Sequence, residues 1–172
     1  MKTNRIEGGF FMPERIETEH DMTPQVITRR SVAEDLPDVL KLVQALAAHH
    51  GDTPMATLES LRRDCLGPAP WVTVIVAEAD GIVGYAALCR LAQVQFGVRG
   101  MDIHHLFVAR AQRAKGIGRL LIEASIAEAA AQQCRYLTVG THPENDVAPR
   151  VYLNAGFDAL PPPGPRFRIK LS

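Results

Sequence analysis

Four basic side chains and two glycines crowd into one short stretch of the chain: Arg110, Arg113, Lys115, Gly116, Gly118 and Arg119, over residues 110–119. A β-prone apolar run (Ile103, Leu106, Phe107, Val108) leads into this stretch, and an alanine-rich helical pattern leads out of it. Glycine lets the backbone turn tightly and lets a ligand approach with no Cβ in the way. The N–H groups of a first helical turn are unpaired and carry the positive end of the helix dipole. Strand, glycine turn and helix start together make a cradle for phosphate. A solvated helix start is the plainer reading of the charges alone, and the glycines favour the cradle. Two common nucleotide patterns fail. A dinucleotide fingerprint counted from Gly116 needs glycine at position 121, which is Leu121, and no Gly-Lys-Ser/Thr run exists for a Walker loop.

Composition limits what else the chain can be. At 172 residues, 47% apolar and 22% charged, it suits one globular domain with a sizeable core. Lys plus Arg equals Asp plus Glu, 19 each, so no general pull toward nucleic acid or an anionic membrane is expected. Cys65, Cys89 and Cys134 are far apart and form no CxxC pair, which argues against a disulfide framework and against a zinc knuckle; a reducing cytoplasm fits. His49 and His50 are adjacent and lack an i,i+4 partner histidine, so no helical metal site is expected. Residues 1–22 are rich in alternating charges and contain no segment apolar enough to export or anchor the chain. They read as a flexible N-terminal extension, with a single domain over 23–172.

The elements that must position the cradle follow from periodicity and turn chemistry. A β-prone run at 25–29 precedes Ser31 and Glu34, which have capping-box spacing. Leu36, Val39, Leu40, Val43, Leu46 and Ala47 then form a helical stripe ending near Gly51, and residues 57–64 read as a second helix. Strands at 71–78 and 83–89 are joined by the Asp80-Gly81 turn, and a further strand at 102–108 delivers the chain to the cradle. A helix over 116–133 separates that strand from the next, at 135–140, so the two should run parallel in a mixed sheet. A helix over 145–155, with Asp146 as its cap, and two strands at 157–160 and 166–171 complete the pattern.

At Gln112-Arg113-Ala114-Lys115-Gly116-Ile117-Gly118 the chain resembles the acyl-CoA pyrophosphate motif of the GCN5-related N-acetyltransferase (GNAT) superfamily, Gln/Arg-x-x-Gly-x-Gly/Ala. Asn145, Ala148, Tyr152, Gly156 and Phe157 resemble that superfamily's second signature, and the element order matches over about residues 26–171. One departure is Val151, where many members carry an aromatic residue. The resemblance implies an α/β (α+β) fold: a mixed, mostly antiparallel twisted sheet of six to seven strands flanked by about four helices.

It also implies direct transfer of acetyl from acetyl-CoA to an amine, with no metal. Backbone N–H groups at Phe107, Val108 and Ala109 would face the thioester. Arg113, Ala114, Lys115, Gly116, Ile117, Gly118 and Arg119 would hold the pyrophosphate, with Asn145 also against the cofactor. Tyr152 is the implied general acid, since a phenol of pKa about 10 holds a proton for the leaving thiolate. His104 stands where members often place the base, and an imidazole suits that task; a hydrogen-bonded strand histidine is an equal reading, and Glu78 is in reserve. By strand alternation His104 shares the face of Asp102 and Leu106, and His105 points to the other. The expected acceptor is a small-molecule or peptide amine, and a homodimer is in keeping with the superfamily. A module that binds acyl-CoA as a sensor without turnover is the alternative.

Overall fold

The computed structural model describes residues 25–142, 144–162 and 164–171; the extension expected over 1–22 lies outside them. In chain order the elements are β1 (Ile27–Arg30), α1 (Leu36–His49), α2 (Leu58–Cys65), β2 (Val72–Ala79), β3 (Gly81–Gln93), β4 (Val98–Val108), α3 (Ile117–Ala131), β5 (Tyr136–Val139) and α4 (Ala148–Asn154). Sequential strands are neighbours throughout, in the order β1-β2-β3-β4-β5. The first three pairings are antiparallel: short connections join β2 to β3 and β3 to β4, and α1 and α2 lie between β1 and β2, whereas α3 carries the chain across the sheet and makes β4 and β5 parallel. Gly81 supplies the positive φ, +89°, that the tight β2–β3 turn requires.

Both faces of the central strands are covered, so their residues divide between two cores. Val39, Leu42 and Leu46 of α1 pack against Val74, Val76, Tyr85, Ala87 and Phe107. Ile117 and Leu121 of α3 pack against Ile75, Ala86, Leu88, Met101 and Ile103 on the opposite face. The N-terminal strand is pinned by charge. Arg29 donates to Asp35 at 2.6 and 2.9 Å and to Glu78 at 2.8 Å, and Arg30 pairs with Glu128 of α3. The helix-start box differs from the Ser31–Glu34 expectation: the Val32 N–H donates to Asp35 Oδ2 at 2.7 Å. Asp35 is preferred because its carboxylate already faces Arg29.

A β-bulge breaks β4. Ala87 opposes His105 and the next residue, Leu88, opposes Ile103, which leaves His104 as the extra residue. The alternation therefore changes parity at the two histidines. Met101 and Ile103 face the α3 core, and so do Leu106 and Val108, while Phe107 faces α1. His104 and His105 consequently do not point to opposite faces; their rings stack, 4.7 Å apart and 19° from parallel.

The expected six to seven strands are corrected to five among the described residues. Residues 157–160 and 166–171 form no strand. Alternation in Arg166-Phe167-Arg168-Ile169-Lys170-Leu171 specifies which side chains would be buried together but not that an edge is within reach. Phe167, Ile169 and Leu171 are 96%, 82% and 88% exposed, and β5 offers an edge of only four residues.

Candidate active site

β4 is long and β5 is short, and the difference opens the sheet. β5 pairs with β4 only from Gly100–Tyr136 to Ile103–Val139. Beyond the bulge, β4 continues to Val108 with no strand on that edge among the described residues. Backbone parity then decides which groups are free. The Ala109 N–H donates to Val83 O at 2.9 Å, and Gly84 stands opposite Val108. In an antiparallel ladder the neighbouring pair must turn its N–H and C=O groups the other way, so the Val108 N–H faces the gap beyond β5. This corrects the expectation that Phe107, Val108 and Ala109 all present donors to a ligand: Phe107, opposite Tyr85, shares the parity of Ala109. Ala109 is consumed by the sheet.

A cleft of about 910 Å³ opens at this gap. It gathers Phe107 and Val108 of β4, Arg113, Ala114, Gly116, Ile117 and Gly118 of the cradle, and Asn145 and Tyr152 around α4. Ala109, Lys115, Arg119 and His104 are not among its lining residues. Lys115 Nζ donates to Gln112 Oε1 at 2.9 Å, and Arg119 Nε donates to Glu123 at 2.7 Å, an i,i+4 pair on the outer face of α3.

The cradle is built from backbone. Ala114 and Gly116 both adopt positive φ, +61° and +80°. Left-handed residues interleaved with ordinary ones turn successive N–H groups inward, making an anion nest at the start of α3. Ala114, Lys115 and Gly116 donate to no backbone carbonyl among the described residues, and the first residues of α3 have no intrahelical acceptor. A Cβ added at Gly118 meets no atom of the chain within 4 Å, so the fold itself would accept a side chain there. Gly118 leaves the cleft wall bare, while Gly116 is required by its own φ. These features fit a pyrophosphate-bearing ligand such as acetyl-CoA. Arg113 lies across the mouth of the cradle, Nε donating to Val108 O at 3.0 Å and the guanidinium 5.3 Å from the centre of the Phe107 ring.

α4 presents Tyr152. Just before the helix, whose N-cap is Val147, the Asn145 Oδ1 accepts from Val147 N at 3.2 Å and Ala148 N at 3.0 Å; the cap expected at Asp146 is not the one formed. Tyr152 stacks at a tilt on Phe157, 5.9 Å between centroids, which accounts for the Gly-Phe ending of the helix. Burial raises the Tyr152 pKa above that of an ordinary phenol, so the hydroxyl keeps its proton at neutral pH.

Histidines ring the far side. His49 and His50, at the C-terminal end of α1, line the cleft with His142, and the His50 and His142 rings are 6.4 Å apart. His105 is half-buried, its pKa lowered first by burial and then by the neighbouring His104 and His50. Glu78, the reserve base, is bound to Arg29 away from the cleft. Among the described residues no three His, Cys, Asp or Glu side chains are grouped to hold a metal ion, and no helix is long and apolar enough to cross a membrane.

Sequence reasoning missed His142 and Glu144 of the lining. His142 had a usable signal, its place just past the C-terminal end of a parallel strand, where open sheets put their ligands. Tyr85 was also missed, because an aromatic in a hairpin strand reads as core.

Comparison with known proteins agrees with this geometry. No curated protein sequence matches the chain significantly. Similar folds include an aminoglycoside acetyltransferase from an uncultured soil metagenomic sample, in complex with sisomicin (TM-score 0.70, 21% identity, 86% of this chain and 97% of that one). Another is the ribosomal-protein-alanine N-acetyltransferase of Brucella melitensis biovar Abortus 2308 (TM-score 0.67, 19% identity, 84% and 99%). A transcriptional regulator from Bacillus halodurans C-125 is similar to the same degree (TM-score 0.70, 20% identity, 84% and 100%). At such identities the likeness is one of fold, and fold alone does not fix an activity. Sequence goes further: the model of the Acetyltransferase (GNAT) family matches residues 37–157, spanning the α1 stripe, the β4–α3 cradle and the Tyr152 helix, and the chain belongs to that family.

Proposed function

We propose that the chain is an N-acetyltransferase that moves an acetyl group from acetyl-CoA to a primary amine of a small molecule or peptide, by direct attack in a ternary complex. The observation that carries this reading is the convergence of an anion nest and a protonated, half-buried phenol on one cleft. The nest of Ala114 to Gly118 and the Arg113 guanidinium would hold the pyrophosphate, and Asn145 would border the pantetheine arm. Acetyl-CoA supplies a thioester activated toward nucleophiles.

As the amine nitrogen bonds to the carbonyl carbon and the C–S bond breaks, negative charge develops first on oxygen and then on sulfur. The free Val108 N–H is the donor for the oxygen. The Tyr152 hydroxyl gives its proton to the thiolate and recovers one from solvent. The amine must shed a proton, and His104 is the group assigned to take it, through water, since it stands beside the cleft rather than on its wall. The acceptor enters between the C-terminal end of α1 and the loop that carries His142.

The test is a panel of primary amines (aminoglycosides, amino-acid amides, peptides with free N-termini, polyamines) incubated with acetyl-CoA and scored by release of free thiol. Turnover with any of them supports the reading. Tight acetyl-CoA binding without thiol release from the whole panel would favour an acyl-CoA sensor.

A further inference from the structure

Tyr85 is the largest side chain buried almost completely in the sheet, 1% exposed, and its hydroxyl has one partner among the described residues: His105 Nδ1, at 3.2 Å. The register explains the meeting. Tyr85 stands opposite Phe107 and His105 opposite Ala87, so the two are diagonal neighbours on the α1 face, with rings edge-on at 82°. A buried phenol whose pKa is pushed up by desolvation stays O–H and must donate. With no other acceptor at hand, the O–H points at Nδ1. A neutral imidazole has one donor and one acceptor nitrogen, so accepting at Nδ1 leaves the ring proton on Nε2.

Protonating His105 would place a second N–H at Nδ1; the phenol oxygen could accept it only by turning its own O–H away, which leaves that buried donor with no acceptor among the described residues. The groups facing His105 all oppose that charge: Tyr85 from β3, His104 on its own strand, and His50 from α1. His104 differs in each respect. The bulge pushes it out, it is exposed, and its ring stacks on His105 without a hydrogen bond to the chain among the described residues. With the rings stacked 4.7 Å apart, a charge on either one disfavours a charge on the other.

We propose that Tyr85 is a positioning residue: its hydroxyl holds His105 as the neutral Nε2–H tautomer, and so assigns proton uptake in the stacked pair to His104. The assignment rests on the acetyl-transfer reading for its role in turnover. His105 is then a fixed Nε2–H donor, while His104 exchanges protons with solvent.

Long-range 15N–1H spectra of the full chain, labelled at histidine and free of substrate, read the tautomer directly. The expected pattern is a protonated Nε2 and a hydrogen-bonded, unprotonated Nδ1 at His105 over about pH 6.5 to 8, the range in which an ordinary imidazole loses its charge. Tyr85→Phe keeps the ring and removes only the donor; it should mix the two tautomers and move the His105 midpoint up by about half a unit, roughly a threefold gain in proton affinity. In kcat/KM for the amine, the acid limb should move up in pH in this variant, with the plateau changed less than the limb. A wild-type His105 that carries its proton on Nδ1, or is charged at neutral pH, overturns the proposal. So does a Tyr85→Phe variant with unchanged tautomer and unchanged limb. If that variant unfolds, the wild-type spectrum alone decides. A panel with no thiol release would defeat the acetyl-transfer reading and leave the tautomer result standing on its own.

Discussion

Arg113 and Val108 are joined across the turn between β4 and α3: the Arg113 Nε donates to the Val108 carbonyl at 3.0 Å. The same residue whose N–H is free for the ligand thus has its C=O tied to the side chain that guards the cradle. A single arginine therefore both sets the end of β4 and places positive charge at the cleft.

Arg113→Ala is expected to weaken acetyl-CoA binding by about tenfold, as one charge-assisted contact is lost. Arg113→Lys should not restore it, because an ammonium cannot bond the Val108 carbonyl through a planar fork while lying on the Phe107 ring. Calorimetry with acetyl-CoA on the three proteins checks this. Full recovery by lysine would show that charge alone matters.

The two glycines of the cradle should fail differently. Gly116→Ala puts a Cβ at φ +80° and should lower stability by about 1–2 kcal/mol, visible as a fall in Tm. Gly118→Ala adds a Cβ that meets no atom of the chain within 4 Å, so its Tm should hold while acetyl-CoA affinity falls. Swapped outcomes would mean that the ligand does not lie along this wall.

Tyr152→Phe should lower kcat by about a hundredfold or more, the scale of a general acid, with acetyl-CoA affinity nearly unchanged. Its ring contact with Phe157 survives the substitution, so thermal stability should change little. An undiminished kcat would assign the hydroxyl to packing.

Asp35 links stability to pH. Its hydrogen bonds from Arg29 hold its pKa below the usual carboxylate value, so the folded state favours the charged form. The stabilisation is complete above the unfolded pKa of about 3.9 and is lost as pH falls through the lower folded value. Asp35→Asn should therefore cost about 2 kcal/mol at pH 7, the scale of a charge-assisted hydrogen bond, and the gap from wild type should be narrower at about pH 3, below the unfolded value of about 3.9. Denaturant titrations at the two pH values measure it; a gap independent of pH would show that packing, not charge, sets the difference.

Local chemistry determined much of this protein from its sequence. Glycine and basic spacing after an apolar run announced the cradle, because a tight turn into a helix start is built from near neighbours, and the Asp80-Gly81 turn and the helical stripes follow from the same short-range rules. The Tyr152 helix was equally legible. What depends on residues far apart was decided only by tertiary structure. The bulge at His104 arises from the register between β3 and β4, and it overturned the alternation that had separated the two histidines. Pairing with Val83 removed the Ala109 donor, and packing across strands gave Tyr85 its partner. The tail over residues 166–171 has the period of a strand, yet it pairs with no neighbour and forms none. A period tells which side chains share a face; only the fold supplies the neighbour that the face is turned toward.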